Sequence, residues 1–282
     1  MLPLLFSLPF ALAAPPLHPR QATTSSSASI PKATTWSPPS SMTTALSQVW
    51  NQTLKEMPTW SENRDWIFDQ LIANNGSINY CVRWNTEYKS TEINRTKTEE
   101  ALGRSLKKWT DTLVGFDGFP LSEVDVNVVG YAVKDPSLLE GDVTGLDVYT
   151  STKDSDGVPE CDPACYRGAH LDEPNYLDSC PGSRYDISLW LDDSLAGELG
   201  GFGSNWGQEL PPDYFLETVE YENVHILLHE MGHGFGLLDF YDWTPEGQSS
   251  FIMMAGSAME VTEFDAWMLR DWWRRLKTVR GW

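Results

Sequence analysis

Hydrophobic positions change period several times along the chain. In SINYCVRW (77–84), Ile78, Tyr80, Val82 and Trp84 occupy every second position, the mark of a strand with one buried face. Over 92–115, Ala101, Leu102, Leu106, Trp109 and Leu113 recur at helical spacing with Lys and Glu between them, which predicts an amphipathic helix. VDVNVVGYAV (124–133), LDVYTS (146–151) and YDISLWLDD (185–193) read as further strands. Helices are expected over 43–57 and 61–73, from about Glu222 through the stretch HEMGHGFG, and from Thr262 to Lys277, where Phe264, Trp267, Met268 and Leu269 are apolar. No period survives between Thr152 and Ser183, which holds three cysteines and Pro159, Pro163, Pro174 and Pro181; a loop this long inside a domain is usually functional or stapled. Gly-rich GELGGFGSNWG (197–207) reads as a mobile loop, without the spacing of a phosphate loop. The order predicts one α+β domain, a twisted mixed sheet with helices packed on it.

The stretch HEMGHGFGLLDFYDW (229–243) changes the picture from fold to chemistry. Residues four apart on a helix lie within about 40° of each other, so His229 and His233 can converge on one cation. His225 falls on the same side, and Val224, Leu227, Leu228, Met231 and Phe235 fall roughly opposite. Glu230 lies about 100° around from His229, beside the metal, where it can take a proton from a bound water and later give it to a leaving amine. Gly236 suits a left-handed helix end. Such a turn folds the chain back and brings Asp239 to the cation as third ligand, with Asp242 and His225 as substitutes. Two imidazoles and a carboxylate with one open position suit zinc. Glycine and aspartate at fixed offsets make coincidence rarer by about two orders of magnitude than H-E-x-x-H alone.

Outside the motif, the chain begins MLPLLFSLPFALA, a short apolar run ending in small residues, read as a signal peptide over 1–13. Residues 14–45 are rich in Ser, Thr and Pro and read as a disordered linker, with a pro-segment ending at Arg20 as the competing reading. Residues 46–282 are then the folded domain. A net charge of −20 repels nucleic acid and anionic membranes, and no later apolar run is long enough to span a bilayer. Four cysteines behind a signal peptide suggest two disulfides, read as Cys161–Cys165 and Cys81–Cys180. Sequons at Asn51, Asn75 and Asn94 are compatible with glycosylation. Asp154 and Asp156 in KDSDG hint weakly at calcium, since the full calcium loop is missing.

H-E-x-x-H-x-x-G-x-x-D followed by a methionine turn resembles the metzincin clan of zinc endopeptidases. The aspartate ligand is similar to the snapalysin variant, whose motif also carries a tyrosine two residues later, as Tyr241 does here. HEMGHGFGLLDFYDWTP with FIMMAGSAMEVTEFDAWMLRDWW resembles, over most of 75–277, secreted fungal zinc peptidases, some of which carry a cellulose-binding module before a similar linker. The resemblance implies a metzincin-like fold with a long active-site helix, a methionine turn and a C-terminal helix. It implies one zinc ion, with Glu230 as general base and acid, and Met254 packed beneath the zinc, Met253 being the alternative. Several metzincins place a tyrosine near the metal where this chain has Gly256, which leaves Tyr241 as the candidate oxyanion helper. The expected partner is a peptide or protein, bound by a monomer along a sheet-edge strand. The competing expectation is a non-catalytic secreted protein, associated with cell-wall polysaccharide and using the zinc site as a staple.

Overall fold

The computed structural model describes residues 29–282. The expected signal peptide, Arg20 and the first half of the Ser/Thr/Pro-rich segment lie outside them. Among these described residues, six α-helices run α1 (Thr43–Glu56), α2 (Ile67–Ala73), α3 (Glu92–Thr110), α4 (Pro212–Thr218), α5 (His225–Gly234) and α6 (Glu263–Arg280). Six strands, β1 (Ser77–Asn85), β2 (Asp125–Val133), β3 (Asp147–Tyr149), β4 (Ile187–Asp192), β5 (Phe202–Ser204) and β6 (Gly207–Leu210), form one sheet in the order β3-β2-β1-β4-β6-β5. All neighbours are parallel except β5 and β6. A mostly parallel sheet with helices packed on it agrees with the α+β expectation.

The alternation in β1 does what its sequence predicts. Ile78, Tyr80, Val82 and Trp84 are fully buried beside Ile187, Leu189 and Leu191 of β4. Beneath this face lie α3 and α5, tied where the Trp109 indole N–H donates to the Leu228 carbonyl at 3.0 Å. Much of the tryptophan content sits in this core. Trp272 of α6 meets Trp50, Trp60 and Trp66 edge to face, an arrangement each pair of which adds about 0.5–1.5 kcal/mol beyond burial.

Three expectations are corrected. The linker does not extend to residue 45. Ile30, Ala33 and Trp36 pack on the core, Trp36 edge to face on Trp267, and the Arg270 guanidinium donates to the Pro31 carbonyl at 2.9 Å. Composition misled here because one tryptophan and a few backbone contacts suffice to hold a Ser/Thr/Pro-rich segment. The Gly-rich stretch is not only a loop, since β5 and β6 form an antiparallel pair at its end. The disulfides are Cys81–Cys161 and Cys165–Cys180. Cys81 points to the sheet face opposite Tyr80 and Val82, and it is there that the long loop lays Cys161. A tight turn, Pro163–Cys165, then carries the chain on to Cys180. Nearness in sequence was the wrong guide.

The same loop settles Asp154. Its carboxylate pairs with Arg83 and accepts the N–H groups of Asp156 and Val158, so a guanidinium stands where calcium was weakly expected. Asn51 and Asn75 are exposed, and Asn94 is half-buried in the first turn of α3. No described helix is long and apolar enough to cross a membrane.

Candidate metal centre

Helix α5 ends as its glycine predicts. The Gly236 N–H donates to the His233 carbonyl at 2.8 Å, and the Leu237 N–H reaches back to Gly232 at 3.1 Å. Gly236 has φ +95°, and a Cβ there would stand 2.5 Å from the Trp272 ring. Conformation and space both demand glycine. The reversal returns Asp239 to the helix, and ligand atoms of His229, His233 and Asp239 all lie within 4.8 Å of one another.

The details favour a cation. His229 Nδ1 lies 2.8 Å from the Ile252 carbonyl, and His233 Nδ1 lies 2.7 Å from the Leu237 carbonyl. A carbonyl only accepts, so each Nδ1 carries the proton, and each Nε2 of a neutral ring presents a lone pair. Both lone pairs then face the Asp239 carboxylate, at 3.0 Å from His229 and 3.4 Å from His233. Acceptor facing acceptor is unfavourable unless a cation lies between. A tetrahedral ion with bonds of ~2.1 Å sets its ligand atoms ~3.4 Å apart, close to these separations. The residues fit a metal ion.

A proton can do part of the same work. Burial pulls His229 down, yet the Asp239 hydrogen bond, the Glu230 charge and the Ile252 carbonyl outweigh it and leave the imidazole above its ordinary value. Burial pushes Asp239 up, and the hydrogen bonds from His229 and His233 overcome that, holding its carboxyl far below the usual range.

Glu230 is buried beside the trio, with Oε2 3.8 Å from His233 Nε2. Burial raises its carboxyl against the pull of His229 and His233. It lies under the edge strand, where a Cβ on Gly203 would collide with the Glu230 carbonyl oxygen. Only glycine lets the helix come so close. Two cavities meet here. One of about 240 Å³ is walled by Leu199, Ile226, Ala255 and Ala258 and reaches His229 and Glu230. The other, about 610 Å³, runs from Glu230, His233 and Asp239 across the edge strand to Trp206 and Glu209.

Tyr241 lines both cavities and is 70% exposed. Burial of its hydroxyl and the Asp239 charge raise it to about 12. His225 does not join the trio; its Nδ1 meets the Tyr214 hydroxyl at 2.8 Å. Met253 is fully buried against Gly232 of α5, whereas Met254 is half-buried. Met253, the expected alternative, is thus the methionine that packs against α5, because the turn points it inward.

Two residues escaped the sequence reading. Asp265, fully buried, accepts the N–H groups of Ile252 at 2.8 Å and Met253 at 3.2 Å, and so holds the turn that holds His229. Thr262 and Asp265 also form a capping box, a T-x-x-D signal visible in the sequence. Glu209, on β6, is the second; burial and then the neighbouring Asp192 push its carboxyl up to about 7, with Arg83 pulling the other way.

No protein-family model matches the chain, and no curated protein matches it.

Proposed function

We propose that the protein is a secreted zinc-dependent endopeptidase of metzincin-like fold. One observation carries this reading. Two imidazoles, oriented by backbone carbonyls, converge with Asp239 at an open cavity, while Glu230 stands next to them and takes no part in the trio. A structural zinc site is usually closed by four protein ligands and has no use for such a glutamate.

His229, His233 and Asp239 would hold the ion, which when bound supplies Lewis-acid polarisation of a carbonyl and acidifies a water. Glu230 accepts the proton of the attacking water and delivers it to the amine nitrogen as the C–N bond breaks. The small apolar cavity suits one apolar side chain of the substrate. Among the described residues, strand β5 ends the sheet with its outer edge unpaired, so an extended peptide can add to it as a further strand. Tyr241 lines both cavities, which supports reading it as the donor to a developing oxyanion. Two disulfides support export to an oxidising compartment.

The test uses the full chain, secreted and oxidised. Zinc per chain is measured, and a mixed peptide library is digested by the wild type and by Glu230→Ala. Cleavage that vanishes in the variant while zinc stays bound supports the peptidase. Full zinc occupancy with no cleavage by the wild type sinks it and favours a zinc-stapled binding protein.

A further inference from the structure

Four side chains stand in one row across the outer face of the sheet. Phe202 of β5 is opposite Glu209 of β6, Glu209 is opposite Trp190 of β4, and Trp190 is opposite Arg83 of β1. Residues in register share a face. Their chain neighbours Gln208, Leu189 and Val82 are buried on the core side, so this row points away from the core. Arg83 is already engaged. Its guanidinium lies 4.1 Å over the Trp190 ring and pairs with Asp154.

Glu209 has no such partner. Among the described residues no donor or cation pairs with its carboxylate, and the charges that act on it are those of Asp192 and the committed Arg83. A half-buried carboxylate without a partner is costly to keep charged. Its surroundings supply what a cation would need, namely the flat wall of Trp206 and a continuous cavity that also contains Glu230, His233 and Asp239. A chain of net charge −20 draws basic peptides toward that cavity.

We propose that Glu209 is a specificity-determining residue, receiving the ammonium or guanidinium of a Lys or Arg in the peptide that lies along β5. This rests on the peptidase reading above. An added strand would run ~4.8 Å outside β5, which puts its backbone ~10 Å from that of β6. An extended Lys or Arg and the Glu209 side chain cover that distance together; a shorter side chain does not. Phe202, 59% exposed and in line between them, packs along the alkyl part.

The experiment uses the zinc-supplied full chain and neutral peptides in which a single lysine is moved position by position, each matched to a norleucine version. Cleavage is read as kcat/KM for the wild type and Glu209→Gln. Binding of the same peptides to Glu230→Ala and to the double variant Glu230→Ala/Glu209→Gln is read by fluorescence anisotropy. At one position lysine is preferred over norleucine about five- to tenfold in both measurements. That ratio falls to about one in both proteins carrying Glu209→Gln, and Glu209→Lys reverses it. Cleavage with a flat lysine scan, or a preference that survives Glu209→Gln, overturns the assignment and leaves the peptidase reading standing. No cleavage by the wild type together with no saturable binding by Glu230→Ala overturns both.

Discussion

Asp265 accepts the Ile252 N–H at 2.8 Å, and the carbonyl of the same Ile252 accepts the Nδ1–H of His229 at 2.8 Å. A carboxylate on α6 thus orients an imidazole of the candidate metal trio on α5 through one residue of the intervening turn. Groups that fix the second nitrogen of a ligand histidine commonly change metal affinity about 10–100-fold when removed.

Asp265→Ala therefore weakens zinc binding by about that factor, read by competition with a chromophoric chelator. It also leaves two buried N–H groups without an acceptor, at a cost of about 2–4 kcal/mol of stability. Asp265→Asn keeps the volume and one acceptor oxygen and falls between. Zinc affinity equal to the wild type in a folded Asp265→Ala protein would show that the turn needs no such support.

Gly236→Ala strikes the reversal that brings Asp239 home. The left-handed φ of +95° and the Trp272 ring 2.5 Å from the added carbon act together. The substitution destabilises by more than about 2 kcal/mol, seen in the denaturant midpoint. Zinc affinity falls with it. A neutral effect on both would mean the backbone can relax there.

This part of the site was legible because it is local. His229, Glu230 and His233 share one helix, and a glycine three residues beyond the last histidine sets where Asp239 goes. What failed is what depends on other segments. Cys81 meets Cys161 because of the face β1 presents, which no spacing of cysteines encodes. Strand β5 has three residues with glycine in the middle, so it carries no alternation to read. Trp36 looks like part of a disordered stretch until Trp267 is placed beside it. Asp265 was readable as a helix cap, but its second task, holding Ile252, emerges only when the turn is folded against α6.

Metal removal tests the trio as a unit. An ion present at a hundred times its Kd adds about 2.7 kcal/mol to the folded state, which raises Tm by about 5–10 °C in a domain of this size. Chelation removes that increment. His233→Ala and Asp239→Ala lose the response to zinc, whereas His225→Ala, outside the trio, retains it. A zinc response that survives in His233→Ala places the ion elsewhere.

Asp65 makes a pH prediction away from the metal. It is 2% exposed, pairs with Arg167 and accepts from the Tyr166 hydroxyl at 3.3 Å. Burial outweighs both partners and raises its carboxyl from 3.8 to about 6. Because the folded value lies above the unfolded one, the folded state holds this proton more tightly. The group's contribution to stability is greatest below pH ~4, declines as pH rises toward ~6 and is flat beyond, a loss of up to about 3 kcal/mol. Asp65→Asn cannot titrate and lacks this decline. Unfolding free energies at pH 4, 5, 6 and 7 for the two proteins should therefore lie closest on the acid side, where Asp65 is neutral in the folded wild type, and separate in favour of the variant as pH rises. Parallel curves across that window would mean that Arg167 keeps Asp65 ionised in the folded protein at pH 4.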